Sequence, residues 1–155
     1  MKQSSQLQFK QATKSKEIEN AFNFNAEVFS QSPEFEWSLS NIKKKMKEGW
    51  ELYSISSDAH IIAAALAKID QEGLYTLTTP IKLDFQGHGY SHQIKDFFEK
   101  MAKEKHLSKV FNYCHMENFR LISLNETHGY IKTGRTSENT EVFEWSKDVE
   151  VKKKK

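Results

Sequence analysis

The sequence holds 155 residues, with 23 Lys+Arg against 21 Asp+Glu, 37% apolar residues, two prolines and one cysteine, Cys114; it suits one soluble globular domain and excludes an intrachain disulfide framework. A chain of this length removes roughly 68–70% of its unfolded surface from water, enough for a core that needs neither metal nor disulfide. The formal charge of +2 becomes −2 once the four lysines at 152–155 are set aside, a balance that argues against the broad basic face of a duplex-binding protein.

No repeat, low-complexity linker or Pro/Gly-rich break divides the chain, so residues 5–149 read as one domain and residues 150–155 as a solvated basic tail. Leu7–Ala12 reads as a first strand. Ser15 then offers an N-cap to a helix whose apolar positions Ile18, Ala21, Phe22, Val28 and Phe29 recur at roughly helical spacing, and Ser-Pro at 32–33 breaks the chain. A second helix fits Ser38–Glu48, with Leu39, Ile42 and Met46 on one side, lysines on the other and Gly49 just past the end. From Trp50 the period becomes that of strands: Trp50–Ile55, a Ser-Ser-Asp turn, Ile61–Ile69, a turn at Asp70–Gly73, then Leu74–Leu83. After Gly89 a helix carries Ile94, Phe97, Phe98 and Met101 on one face, and the strand Val110–His115 follows. A short helix over Asn118–Thr127 stops at Gly129, and Tyr130–Arg135 and Glu141–Trp145 read as two closing strands. The order β-α-α-β-β-β-α-β-α-β-β predicts an α+β fold, a mostly antiparallel sheet of six to seven strands flanked by about four helices.

The opening MKQSSQLQFK has no apolar run of the kind that directs secretion, and Ile61–Ala67 is far shorter than the roughly 20 residues a membrane helix needs. With its lone thiol, the chain reads as cytoplasmic, with no membrane or nucleic-acid partner.

The segment Asp84-Phe85-Gln86-Gly87-His88-Gly89-Tyr90-Ser91 carries the chemistry. Glycines let backbone approach a ligand closely, and a helix start supplies unpaired N–H groups and the positive end of a dipole, which together make an anion site, most naturally for phosphate. Each such interaction is worth about 0.3–1 kcal/mol when exposed and up to ~2 when partly buried, so several amides together hold a pyrophosphate. A Gly-x-Gly before a helix is also compatible with a plain tight turn. Two other phosphate loops do not fit: there is no Gly-Lys-Ser/Thr, and His92 stands where a dinucleotide fingerprint needs its third glycine.

The loop Gln86-Gly87-His88-Gly89-Tyr90-Ser91 resembles the acyl-CoA loop of the GNAT acyltransferase superfamily, Gln/Arg-x-x-Gly-x-Gly/Ala between the fourth strand and third helix. Downstream, that family has an Asn after its fifth strand and a Gly-Phe or Gly-Tyr eleven residues later, and here Asn118 and Gly129-Tyr130 match at that spacing. The resemblance implies a GNAT-like fold in which splayed fourth and fifth strands hold the pantetheine arm. It further implies acetyl-CoA as co-substrate with no metal, and cofactor contacts at Ile81, Leu83, Gln86, Gly87, His88, Gly89, Tyr90, Ser91, Asn118 and Asn125. Ser91 departs from Gly/Ala, and Leu83 stands where proline is common. The tyrosine that often acts as general acid seven residues after the Asn is Asn125 here, which has no proton to give.

The ordinary acidities of amines and thiols in water divide the cost of direct attack by an amine. An amine of pKa about 10.4 costs roughly 4.6 kcal/mol to deprotonate at pH 7, whereas a thiolate of pKa about 8.5 costs roughly 2 to release unprotonated, so the base is the greater need. Asn125 as a hydrogen-bond donor to sulfur, or Tyr113, Tyr130 or His128 as acid, are open alternatives. The resemblance implies that a backbone N–H near Ile81, on the splayed fourth strand, would polarise the thioester carbonyl. Candidates for the base are Glu34, Glu36, Tyr75 and His115, or a water chain to a distant carboxylate.

Other constellations read as structural. His88 and His92 stand four apart with no third metal ligand evident, and Cys114 and His115 point to opposite faces of a strand. Phe29, Phe35 and Trp37 suit a core as well as an acceptor pocket. The expected function is acetyl transfer to a primary amine of a small molecule or peptide in a ternary complex; the alternative is a catalytically silent acyl-CoA-binding module. The acceptor would be chosen by residues 27–37 and 134–141, and the chain would be a monomer or a homodimer through its edge strands.

Overall fold

The computed structural model describes residues 6–24 and 33–149, except the side chains of Phe24 and Leu83. Val28, Phe29 and Ser32 lie outside the described residues, as do the tail 150–155 and residue 5. The elements are β1 (Gln8–Ala12), α1 (Ser15–Phe24), α2 (Leu39–Lys47), β2 (Glu51–Ser57), β3 (His60–Asp70), β4 (Gly73–Thr78), a 3-10 turn (Leu83–Phe85), α3 (Tyr90–Glu104), β5 (Lys109–His115), α4 (Phe119–Thr127), β6 (Ile131–Thr136) and β7 (Val142–Asp148). Seven strands form one sheet in the order β1-β2-β3-β4-β5-β7-β6. Every neighbouring pair is antiparallel except β4 and β5, which are parallel. A parallel pair needs a crossover, and α3 supplies it.

The sheet is covered on both sides. Tyr53, Ile55, Ala63, Ala65, Val110 and Trp145 pack with Ile94, Phe98 and Ala102 of α3. On the opposite face Leu52, Ala64, Leu66 and Leu77 meet Ile18 and Ala21 of α1, Ile42 of α2, and Trp37. Double coverage explains why β3 is buried continuously from Ile62 to Ala67 instead of alternating.

Two expectations are corrected. Ser15 lies inside the first turn of α1 rather than at its cap, because the Glu17 carboxylate reaches back to the N–H groups of Thr13 (3.3 Å) and Lys14 (3.1 Å). The fourth strand ends at Thr78, not Leu83. Pro80 has no N–H to give a ladder, and only Thr79 and Lys82 still donate to β3, at Ala64 O (2.9 Å) and Ile62 O (3.0 Å). The second helix follows expectation: Ser38 Oγ accepts from Asn41 N–H at 3.0 Å as its cap.

Candidate functional site

β4 and β5 share only three pairs, Leu74 with Val110, Tyr75 with Phe111 and Thr76 with Asn112. Beyond them β4 stays with β3 and β5 stays with β7, so the two strands part. Thr76 Oγ1 closes the fork by donating to Phe111 O at 2.7 Å. From it opens a cleft of about 980 Å³, large enough for an extended cofactor arm.

The glycine loop forms one wall. Gly87 and Gly89 have φ of 83° and 76°, a conformation that glycine adopts at no steric cost. Gly89 is the N-cap of α3 without a side-chain cap, and the first helical bond is from Gln93 N–H to Gly89 O at 3.3 Å. The N–H groups of Tyr90, Ser91 and His92 therefore have no acceptor among the described residues. A Cβ on either glycine would project into open space, where an anion can lie against the backbone. Gln86 fastens this loop to both sides of the cleft mouth: its Nε2 donates to Ile81 O at 2.8 Å, and its Oε1 accepts from Arg120 Nη1 at 2.6 Å. Arg120 adds a cation beside the unpaired N–H groups.

Of the residues expected to bind a cofactor, Ile81, Gln86, Gly87, Gly89, Tyr90, Ser91 and Asn118 line the cleft. The Ile81 N–H has no hydrogen-bond partner among the described residues. Leu83 opens the 3-10 turn, and its side chain lies outside the described residues. His88 is exposed and is not part of the wall, with its ring 5.6 Å from that of Tyr90. Tyr90 turns its ring inward, its hydroxyl 2.9 Å from Ser57 Oγ.

Asn118 is the N-cap of α4, accepting from Leu121 N–H at 3.3 Å, and its Nδ2 donates to Glu34 Oε2 at 2.9 Å. The same Glu34 oxygen accepts from His115 N–H at 2.8 Å. Glu34 thereby joins the chain before α2 to the splayed end of β5, and its Oε1 has no hydrogen bond among the described residues. The other base candidates are engaged or elsewhere. Glu36 is exposed and off the cleft; Tyr75 donates to Glu72 Oε2 at 2.7 Å; His115 accepts from Glu117 N–H at 3.1 Å with Glu141 Oε2 3.5 Å from its other nitrogen.

Asn125 is fully buried and does not line the cleft. Its Nδ2 donates to Asn112 Oδ1 at 3.0 Å, and its Oδ1 accepts from Asn112 Nδ2 and from Lys95 Nζ, each at 2.8 Å. Tyr113 donates to Glu144 Oε2 at 3.1 Å, and burial, then that carboxylate, holds its pKa well above the usual phenol range. Tyr130 lines the cleft with a hydroxyl that has no hydrogen bond among the described residues, and burial again raises its pKa, with Glu99 and Asp96 adding to the rise. His92 does not pair with His88; its Nδ1 lies 2.7 Å from His128 Nε2. Cys114 is buried on the face of β5 opposite His115, and burial pushes its thiol up to about 12. Phe35 and Trp37 meet edge to face at 4.9 Å and border the cleft.

Sequence reasoning missed Lys95 and Arg120. Arg120, two residues past the capping Asn118, has a sequence signal in its position on the first turn of α4; Lys95 reads as a surface residue until the fold is known.

No protein-family model matches the sequence, and no curated protein matches it. Likeness appears among solved structures. The ribosomal-protein-S18-alanine N-acetyltransferase of Escherichia coli superposes with a TM-score of 0.73 at 10% identity, over 95% of this chain and 96% of that one. A GNAT family acetyltransferase from Elizabethkingia anophelis with acetyl-CoA bound gives 0.72 at 14%, over 93% and 99%. The spermidine/spermine N-acetyltransferase SpeG of Vibrio cholerae gives 0.69 at 15%, over 92% and 94%. These matches span nearly all of each chain and share the forked mixed sheet only at the level of architecture. The chain has the fold of the GNAT acetyltransferases.

Proposed function

We propose that this protein is an N-acetyltransferase that binds acetyl-CoA in the fork and moves the acetyl group to a primary amine of a small molecule or peptide, by direct attack in a ternary complex. The observation that carries this is the convergence on one cleft of the β4/β5 fork, the unbonded N–H groups of Tyr90, Ser91 and His92, and Arg120. The amides and the guanidinium suit a pyrophosphate at the mouth, and the fork suits an extended arm running inward. The free N–H of Ile81 stands ready for the thioester oxygen, where a donor in a water-poor site lowers the barrier to the tetrahedral intermediate. Glu34 takes the role of base or of counter-charge for the incoming ammonium, since of the four candidates it lines the cleft with a carboxylate oxygen that has no hydrogen bond among the described residues. Two of the three neighbours are N-acetyltransferases named for their acceptors, ribosomal-protein-S18 alanine and spermidine/spermine, which supports an amine acceptor here. A lone buried cysteine, Cys114, and no disulfide framework suit a cytoplasmic location.

Calorimetric titration with acetyl-CoA, CoA and ATP tests the site. CoA species are expected to bind and ATP is not. Gly89→Glu sets a carboxylate among the amides and is expected to lower CoA affinity by roughly two orders of magnitude, the loss of several helix-terminus interactions together; unchanged affinity would place the site elsewhere. The second reading, a silent acyl-CoA-binding module, draws on the commitment of the Asn125 amide to Asn112 and Lys95. The two part at turnover. An enzyme releases free thiol when given amines, and a silent module binds without release.

A further inference from the structure

Behind the fork lies a lysine that the site described so far does not use. Lys95, on α3, borders the cleft while only 9% of its surface is exposed. Its Nζ donates to Asn125 Oδ1 at 2.8 Å and lies 4.3 Å from the centre of the Tyr130 ring. Asn125 is held in turn by a reciprocal amide pair with Asn112, the β5 residue at the last β4/β5 pair. The ammonium is thus fastened at the point where the strands part.

We propose that Lys95 is the proton donor to the sulfur of CoA as the acetyl group leaves, with Asn125 and Tyr130 as its positioning residues. This rests on the reading of the fork as an acyl-CoA site. An ammonium has three N–H bonds. Asn125 takes one and the Tyr130 ring, itself on the cleft wall, faces the headgroup; this role requires a third to reach the cleft that Lys95 borders. The step balances: the acceptor nitrogen forms its bond to the carbonyl carbon and the C–S bond breaks with its electron pair on sulfur. Lys95 passes a proton to that sulfur, giving CoA thiol and a neutral amine, and solvent reprotonates the amine after the products leave. The acceptor's own proton goes to Glu34 or to water.

The surroundings favour this role. Lys95 has no ion pair among the described residues: Glu99, one turn on along α3, gives its Oε1 to Lys147 Nζ at 2.7 Å. Burial lowers the Lys95 pKa to about 7, opposed by the Glu99 carboxylate and Cys114 and assisted by Lys147 on β7. His128, at the end of α4, is held below the usual imidazole range by its own burial and sits 3.6 Å from Glu99 Oε2. Such an ammonium is a stronger acid than a thiol of pKa about 8.5, so transfer to a departing thiolate runs downhill. Cys114, Tyr113 and Tyr130 all titrate upward, away from neutrality, and are poorer donors.

The test needs no knowledge of the acceptor. CoA is bound to the wild-type chain and to Lys95→Gln, and the ultraviolet absorbance of its thiolate is followed against pH, with desulfo-CoA on the same protein as blank. Lys95 and a thiol beside it lose their first proton as a coupled pair, so thiolate absorbance of bound CoA is expected to begin about one pH unit or more below that of free CoA; in Lys95→Gln it should return to that of free CoA or above. Equal ionisation in the two proteins, with CoA bound to both, overturns the proposal. If calorimetry finds no CoA binding to the wild type, the acyl-CoA reading falls and this inference with it. Lys95→Met serves where the Gln variant does not fold. Lys95→Arg keeps the charge but cannot give up a proton, so it is expected to retain the lowered thiol ionisation and, with any amine that the wild type turns over, to lose thiol release.

Discussion

A lysine confined as Lys95 is costs the fold stability at neutral pH, because its ammonium has left water for a site where the nearby Glu99 carboxylate only partly offsets the lost hydration. The sign follows from linkage. Between pH 7, near the folded pKa, and the unfolded value near 10.4, the unfolded chain binds the extra proton, so stability rises with pH across that window. Lys95→Met removes the burden while sacrificing one hydrogen bond to Asn125, and is expected to raise the melting temperature at pH 6–7 by an amount worth a few kcal/mol at most. The gain should shrink as the pH approaches about 10, and thermal melts at the two ends of the range read it directly. The glycine turn before α3, the cap of α4 and its glycine stop were legible from sequence because backbone conformation marks them: Gly87, Gly89 and Gly129 take positive φ and Asn118 caps α4. Lys95 was not, because the four-residue spacing of Lys95 and Glu99 is that of an exposed helical pair, and only tertiary packing turns that face inward.

Among the elements, the short parallel ladder between β4 and β5 decides whether a fork exists at all. Its beginning depends on Gly73, at φ 156°, where a Cβ would strike the carbonyl of Lys109. Gly73→Ala must push the strands apart at their closed end, and overpacking of this kind costs about 1–3 kcal/mol. The expected result is a lower denaturation midpoint together with weaker CoA binding, since the fork opens from the wrong place. The order of the elements was legible throughout, and the helix over 38–48 and the turn at 70–73 fell where side-chain period and glycine indicate. The end of β4 was not: Leu74–Leu83 is rich in threonine and aliphatic residues that suit a strand to its last residue, and the break comes at Pro80, which has no donor for the ladder. The α1 start was misread because Ser15 and Glu17 both suit a helix N-terminus, and the longer side chain reaches the free N–H groups.

At the scale of the whole molecule, the sheet halves β1–β4 and β5–β7 are joined by one strand pair of three residue pairs, with α3 crossing between them and Glu34 clasping β5. A ligand lying in the fork touches both halves. At a concentration about 100 times its dissociation constant it is expected to add ~2.7 kcal/mol, which for a chain of this size raises the melting temperature by roughly 5–11 °C. Gly89→Glu should show no such rise, and a wild-type melt indifferent to CoA would break the link between the fork and the ligand. The strand nearest the middle of the first half has a different consequence. β3 buries six residues in a row, Ile62 to Ala67, and four of them are alanines. The bulk of both core layers there comes from the helices above and below, so the usual ranking of core vulnerability is inverted at this strand: little remains to be truncated, and any enlargement has to lift a helix off the sheet.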